Sequence, residues 1–133
     1  MQQPSIFTRI INGEISSYKI YEDDRVIAFL TNRPLVYGHT LVVPKKQIDQ
    51  IWDLSHEDYD YLWQITQKIA FHIREVLSSK RVGVVIKGNE VPHAHIHLIP
   101  MSNTNAHVNF DPELAPSLVG DEVLGTIAQR LRF

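Results

Sequence analysis

Apolar and polar residues alternate in several short segments of this chain, which is the pattern of half-buried β-strands. The clearest alternation spans residues 93–99, where histidines and apolar residues take turns. Glycine, proline and acidic turn residues separate the alternating segments. The pattern predicts five strands, over residues 18–21, 25–30, 39–43, 82–87 and 94–99.

A helical repeat of apolar residues predicts one long helix from about Ser55 to Ser79. Ser55 with Asp58 three residues later resembles a capping box at its start. Shorter helices are predicted over residues 5–13, within 45–54 and over 121–131. Strands grouped as hairpins, with helices between the groups, predict an α+β domain. It consists of an antiparallel sheet of about five strands with one long helix and short flanking helices.

Composition narrows the class of protein. The 133 residues predict a single domain over 1–133, with a core over about 4–100 and a turn-rich segment and helix over 101–133. With 13 basic and 15 acidic residues and no basic block, nucleic acid is not an expected partner. No apolar run reaches the roughly 18–20 residues of a membrane span, and the N-terminus lacks the apolar part of a signal peptide. We therefore expect a cytoplasmic protein without a membrane partner.

Cysteine is absent, which excludes disulfides, thiol catalysis and cysteine–zinc sites. Histidine is the residue that suggests chemistry, because His93, His95 and His97 occupy alternate positions of one predicted strand. A straight strand projects such side chains from one face, with neighbours roughly 6.5–7 Å apart. A fourth histidine, His39, begins another predicted strand.

Three interpretations of this row follow from the residues. In the first, the histidines have only a structural role, although placing several imidazoles side by side on one face of a strand costs free energy through desolvation and mutual repulsion. In the second, two of them bind zinc with help from His39 or Glu90, since the third lies too far away for one ion. In the third, a neutral imidazole attacks phosphorus while its neighbours, partly charged, hold the phosphate oxygens and protonate the leaving group. The chemistry favours the third.

The segment His93-Ala94-His95-Ile96-His97-Leu98-Ile99 resembles the histidine triad (HIT) motif, in which three histidines alternate with apolar residues. Residues 38–46, Gly-His-Thr-Leu-Val-Val-Pro-Lys-Lys, resemble the upstream strand of that superfamily, which carries a fourth active-site histidine. Residues 6–15 resemble its N-terminal segment. The resemblance spans about residues 4–100.

The resemblance implies a nucleotide hydrolase or transferase that acts on a nucleoside monophosphate joined to a leaving group. It implies that His95 is the nucleophile and forms a covalent nucleotidyl intermediate, which water then cleaves. His93 and His97 would bind or polarise phosphate oxygens, and His39 would join the proton network. It also implies a homodimer whose sheets join, and no catalytic metal or other cofactor.

Two departures from the superfamily concern the zinc and the ribose. Many relatives bind a structural zinc at places where this chain has Ser5, Thr8 and Gln47, so no metal is expected. Many relatives also bind ribose through an acidic residue. An ungapped count puts Thr31 there, with Asn32 beside it, and an amide occurs near this place in the dinucleoside-polyphosphate-cleaving branch. Asn32 is the better candidate, with weaker binding than a carboxylate gives.

The third departure is a short loop over residues 85–92, where Asn89 and Glu90 stand at the end of the usual phosphate loop. Asn89 is a candidate substrate contact. Glu90 is unfavourable beside phosphate unless it faces away as a solvated turn residue or meets a cationic leaving group. Phe29 and Ile6 are candidates for a base pocket, with ordinary core packing as the alternative, and His107 is expected to lie outside the site.

Together these observations predict a hydrolase that cleaves a phosphoanhydride or phosphoramidate at the α-phosphate of an adenosine nucleotide. The phosphoramidase and dinucleoside polyphosphate hydrolase branches both fit. Two other classes stay open at this point. One is a purine-nucleotide-binding regulatory module with slow or no turnover, and the other is a zinc-binding protein that uses the histidine row.

Overall fold

One five-stranded antiparallel sheet organises the protein, with its strands in the spatial order β1-β2-β3-β5-β4. The computed structural model describes residues 2–102, 111–114 and 119–133. The strands are β1 Lys19–Glu22, β2 Val26–Leu30, β3 Thr40–Pro44, β4 Arg81–Val85 and β5 Ile96–Met101. The predicted α+β class with five strands is confirmed.

The helices are α1 Ile6–Ile11, α2 His56–Leu77 and α3 Asp121–Leu131, with short 3-10 turns at Ile51–Asp53 and Pro112–Leu114. The hydroxyl of Ser55 accepts a hydrogen bond from the backbone N–H of Asp58 and so caps α2 as predicted. Only the 3-10 turn forms in the segment 45–54, where a short helix was expected. Among the helices that the structure describes, none is long and apolar enough to cross a membrane.

The sheet is covered on both faces. The larger core lies between one face and helices α2 and α3, and it includes residues as distant in sequence as Ile20 and Leu131. The other face packs against α1 and forms a smaller cluster of Phe7, Ile27, Phe29, Leu41 and Val43. Because side chains alternate across a strand, β2 contributes to both clusters and is buried along its length. A single domain over 1–133 stays a prediction that this shared core supports.

The ends of two strands differ from the prediction. β4 ends at Val85, and β5 begins at Ile96, so His93 and His95 precede the strand. In this segment the backbone N–H of Ala94 donates to the carbonyl of Ile48 at 2.7 Å, which turns the chain away from β4. The expectation that all three histidines project from one straight strand is therefore wrong.

Candidate active site

A cleft of about 530 Å³ opens between α1, the end of β2, the 87–91 loop and the start of α3. Three of the four histidines singled out in the sequence line it: His39, His95 and His97. All five residues predicted to bind substrate also line it: Ile6, Phe29, Thr31, Asn32 and Asn89. The fold thus gathers segments that are far apart in the chain around one space.

The ring of His95 is fixed by its own neighbourhood. Its Nδ1 lies 2.7 Å from the carbonyl oxygen of His93. A carbonyl only accepts, so Nδ1 carries the proton and Nε2 keeps the lone pair. Burial lowers the pKa of His95, against smaller opposing effects of the His93 carbonyl and the Glu90 carboxylate. The ring is therefore neutral near pH 7, and Nε2 has no hydrogen-bond partner among the described residues.

His39 and His97 form a second ordered pair. The backbone N–H of Leu35 donates to Nδ1 of His39 at 3.0 Å, so Nε2 of His39 carries a proton and donates it to Nδ1 of His97, also at 3.0 Å. His97 in its neutral form is then protonated at Nε2. Burial lowers the pKa of His39 to about 4 and that of His97 to about 3. From the sequence we expected the histidines beside the attacking imidazole to be partly charged. For His97 this expectation is wrong, because burial keeps the rings of His39 and His97 neutral.

Gly38 sets the path of the chain into β3 and thereby the place of His39. Its φ is +87°, and a Cβ atom there would lie 2.7 Å from Cδ1 of Leu77 in α2. A side chain at this position would strain the backbone at this positive φ, whereas the contact with the flexible end of Leu77 could be relieved by a shift of that side chain. Glycine is therefore favoured here by the backbone conformation that leads into β3.

His93 does not line the cleft. Its ring is fully buried, with Nε2 2.8 Å from the carbonyl of Pro44 and Nδ1 2.6 Å from the hydroxyl of Ser5. Both ring nitrogens are thus occupied within the protein. The expectation that this ring binds phosphate oxygens is corrected for that reason, and the backbone carbonyl of His93 is the group that serves His95. The three rings do not converge on one point, as a shared zinc ion would require.

The comparisons with known proteins agree with this geometry. A family model described as the HIT domain matches residues 12–104. The chain belongs to the HIT family. A HIT-like protein of Borreliella burgdorferi is 39% identical over 102 residues, which cover 71% of this chain and 73% of that protein. Protein hit of Bacillus subtilis is 36% identical over 100 residues, covering 71% of this chain and 69% of that protein.

Solved HIT structures share the fold over most of the chain. A HIT-like protein involved in cell-cycle regulation from Bartonella henselae superposes with a TM-score of 0.86 at 29% identity, covering 99% of this chain and 97% of its own. A HIT family hydrolase from Legionella pneumophila gives a TM-score of 0.65 at 30% identity, covering 80% and 97%. The histidine geometry described above therefore sits in an established HIT fold.

The two ribose candidates of this HIT domain differ in availability. The hydroxyl of Thr31 accepts a hydrogen bond from the backbone N–H of Arg33 at 3.1 Å. The side chain of Asn32 is exposed and has no hydrogen-bond partner among the described residues, while its backbone carbonyl accepts from the N–H of Val119. The structure therefore leaves the Asn32 amide more accessible to a ligand than the Thr31 hydroxyl.

The two apolar candidates also differ. Phe29 is buried and packs edge-on against Phe7, with ring centroids 5.6 Å apart, whereas Ile6 is half exposed. Phe7 is a site residue that sequence reasoning missed, although it stands next to Ile6 in the segment that resembles the family. Its ring lies edge-on to that of His95 at 5.0 Å. Phe7 thus forms the apolar wall beside the candidate nucleophile.

Charged residues surround the opposite side of the HIT cleft. Arg33 and Lys87 line it and had no sequence signal as site residues. The ammonium of Lys87 lies 2.8 Å from carboxylates of both Asp111 and Glu113, so its charge is already balanced. Glu90 also lines the cleft, and its charge raises the pKa of His95, so it does not face away from the site.

Metal binding finds no support in the described part of the chain. Within residues 2–102, 111–114 and 119–133, no group of three or more histidine, aspartate or glutamate side chains is placed to hold an ion. His107, which was expected to stay outside the site, lies outside the described residues.

Proposed function

We propose that this HIT protein is a nucleotidyl hydrolase that cleaves a phosphoanhydride or phosphoramidate at the α-phosphate of an adenosine nucleotide. The observation that carries the proposal is the state of His95. Its Nδ1–H is held by the His93 carbonyl, and its unprotonated Nε2 belongs to a ring that lines the cleft. A neutral imidazole oriented in this way is the form that attacks phosphorus.

In the first step, the lone pair on Nε2 of His95 forms a bond to the α-phosphorus, and the bond from phosphorus to the leaving oxygen or nitrogen breaks. The leaving group departs with that electron pair and takes up a proton from solvent, which the attacking water returns in the second step. The imidazole gains positive charge as the new bond forms, and the hydrogen bond from Nδ1–H to the His93 carbonyl stabilises it. The intermediate is a nucleotidyl–His95 conjugate.

In the second step, water attacks the same phosphorus and the bond to Nε2 breaks. The nucleoside monophosphate leaves, and His95 returns to its neutral form. His97 takes part in both steps as a neutral donor, since its Nδ1 accepts from His39 and its Nε2–H is available for a phosphate oxygen. The hydrogen bond from His39 to His97 thus determines which nitrogen of the His97 ring carries its proton.

The leaving group that fits best is an amine rather than a polyphosphate. Glu90 is the charged residue whose field reaches His95, and a carboxylate there opposes an anionic leaving group. Lys87 does not compensate, because Asp111 and Glu113 already pair with it. Arg33 also lines the cleft, so the preference for the phosphoramidase branch over the dinucleoside polyphosphate branch rests on the charge of Glu90 acting at His95.

A substrate panel tests the proposal. Adenosine phosphoramidates of lysine-like amines and diadenosine polyphosphates are incubated with protein in excess chelator, and release of AMP is measured. We expect turnover without metal, and a loss of more than about 1,000-fold in His95→Ala. His56→Ala serves as control, because His56 is exposed at the start of α2, away from the cleft.

Other outcomes of the panel would overturn the proposal. Tight AMP binding with no turnover of any substrate would identify a nucleotide-binding module. Turnover that chelator abolishes and zinc restores would identify a metal-dependent protein.

The quaternary state and the compartment belong to the same proposal. β4 is an edge strand of the sheet, and its Val84 is 45% exposed, which supports a homodimer in which the β4 strands of two copies join. We expect sedimentation equilibrium to give twice the monomer mass and Val84→Lys to shift it towards the monomer. The cytoplasmic location stays a prediction that cell fractionation tests.

A further inference from the structure

The ring of His93 belongs to a buried polar cluster that the proposed reaction does not use directly. Its Nε2 faces the carbonyl of Pro44, so this nitrogen carries the proton. Burial lowers the pKa of His93 and keeps the ring neutral. Nδ1 is then an acceptor, and the hydroxyl of Ser5 donates to it at 2.6 Å. The tautomer of His93 is therefore set by two partners from distant parts of the chain.

The residues that contact Ser5 are held by further hydrogen bonds. Its hydroxyl oxygen accepts from the backbone N–H of Thr8 at 3.0 Å, which caps α1, and its own backbone N–H donates to Oε1 of Gln47 at 2.8 Å. The hydroxyl of Thr8 donates to the same Gln47 oxygen at 2.6 Å. The Gln47 amide nitrogen donates to the carbonyl of Gln3. The Ser5 hydroxyl also lies 3.3 Å from the hydroxyl of Thr8, and its single proton is directed to Nδ1 of His93, which is the nearer acceptor.

The polar part of the cluster touches the nucleophile through one residue, His93. The carbonyl that accepts from Nδ1 of His95 belongs to His93, whose ring is held by Ser5. A shift of the His93 ring moves the backbone of the same residue and so moves that carbonyl. Phe7, the second residue of α1, packs edge-on against both rings, at 5.7 Å from His93 and 5.0 Å from His95. The start of α1 is thus connected to His95 by a polar and an apolar route.

We propose that Ser5, Thr8 and Gln47 are positioning residues for the nucleophile: they hold the His93 ring, and through its backbone carbonyl they keep His95 protonated at Nδ1 with Nε2 free to attack. The inference rests on the proposed function only for its kinetic consequence. The state of the His95 ring is a property of the protein without substrate and is measured separately.

The test compares variants by ¹⁵N NMR of the histidine ring nitrogens, which distinguishes protonated from unprotonated nitrogen, and by steady-state kinetics. Ser5→Ala leaves Nδ1 of His93 without its donor, although the Thr8 hydroxyl, 3.4 Å away, is close enough to replace it. The double variant Ser5→Ala/Thr8→Val removes both donors. We expect the Nε2–H form of His95 to increase in the order wild type, Ser5→Ala, double variant.

The kinetic expectation is a fall in kcat of roughly 10-fold in the double variant with little change in KM, which is the cost of a slightly misplaced reacting group. Ser5→Thr keeps the hydroxyl and restores both readouts. Ser55→Ala is the matched control, since it removes the serine cap of α2 and lies away from His95. It lowers the melting temperature through loss of the cap without changing the His95 tautomer.

Two results would overturn the inference. One is a His95 ring that stays protonated at Nδ1 in the folded double variant, and the other is a kcat for Ser5→Ala no lower than that for Ser55→Ala. If the double variant does not fold, the single variants decide: Thr8→Val removes the hydroxyl that contacts Gln47, Ser5 and His93, and a His95 tautomer unchanged in both Thr8→Val and Ser5→Ala would overturn the inference. If no substrate is turned over, the proposed function fails, and the NMR comparison still tests the positioning role.

Discussion

The two sides of the cleft are built in different ways. On the histidine side, the rings of His39, His95 and His97 are buried and each is bonded within the protein. On the opposite side, Asn32 and Glu90 are exposed. In the proposed reaction, burial fixes the protonation of the reacting groups before substrate arrives, and the exposed side chains on the other side are the ones proposed to select the molecule that is cleaved. The chemistry is therefore more strongly determined by the fold than the choice of leaving group is.

Apart from the substitution of His95 itself, we expect the largest effect on the histidine side from a substitution at His97. His97→Ala removes the Nε2–H donor and leaves Nε2–H of His39 buried without an acceptor. We expect kcat to fall by about 100-fold or more, as when a preorganised donor to a developing oxyanion is lost. AMP affinity, measured by calorimetry, should change far less than kcat. An equal loss of binding and rate would show that His97 binds the ground state only.

The buried histidines also make stability depend on pH. The pKa of His39 falls from its ordinary 6.5 to about 4 on folding, so between these values the unfolded chain binds a proton that the folded protein does not. The contribution of the neutral His39 ring to the free energy of unfolding is thus fully present above pH 6.5 and is lost as the pH falls towards 4. For His39 alone we expect the free energy of unfolding to decrease by up to about 2 kcal/mol between pH 7 and pH 5.

Urea unfolding at the two pH values measures this loss. His39→Gln should flatten the dependence, while a change at the exposed His56 should leave it intact. Stability that is constant or rises on acidification would contradict the neutral state of the buried pair.

On the exposed side of the cleft, we expect Glu90 to affect the choice of leaving group. Glu90→Gln removes the charge that opposes an anionic leaving group, so we expect the preference for phosphoramidate over diadenosine polyphosphate to fall by up to about 10-fold. Because Glu90 raises the pKa of His95, the acid limb of kcat/KM should move to lower pH in the variant. Unchanged selectivity, with Asp53→Asn as an exposed control, would show that Glu90 is only a solvated turn residue.

The smallest effect concerns the ribose. Asn32→Ala removes an exposed amide, and we expect KM to rise by about 2- to 10-fold, the value of a neutral hydrogen bond. The ratio of KM values for ribose and 2′-deoxyribose substrates should approach one in the variant. Thr31→Val is the matched test, since its hydroxyl is already bonded to Arg33. A larger effect in Thr31→Val would transfer the ribose contact to Thr31.

The sequence was sufficient for the five strands, for the long helix with its Ser55 cap and for three histidines and five substrate-binding candidates that line the cleft, but not for Phe7, Arg33 and Lys87. Alternation and capping are local patterns, and the family resemblance identified the histidines. The place where β5 begins was not predictable in the same way. In the sequence, histidines and apolar residues alternate through His93 and His95. In the structure, the strand pairing does not extend to these residues, and the N–H of Ala94 donates to the Ile48 carbonyl instead.

The role of His93 was hidden for a related reason. Its partners, Ser5 and the Pro44 carbonyl, stand 88 and 49 residues away in sequence. Nothing in the local pattern distinguishes its ring from that of His95. The neutral state of the histidines was likewise not visible, because it results from burial by residues that only the fold brings together.

The central claim is that Nε2 of His95 is the atom that attacks phosphorus. Rapid quenching of wild-type protein during a single turnover of an adenosine phosphoramidate, followed by mass spectrometry of its peptides, tests it most directly. The account predicts a transient AMP adduct on the peptide that contains His95, bonded at Nε2, and no adduct in His95→Ala. Turnover without such an adduct, or an adduct on another residue, would contradict it.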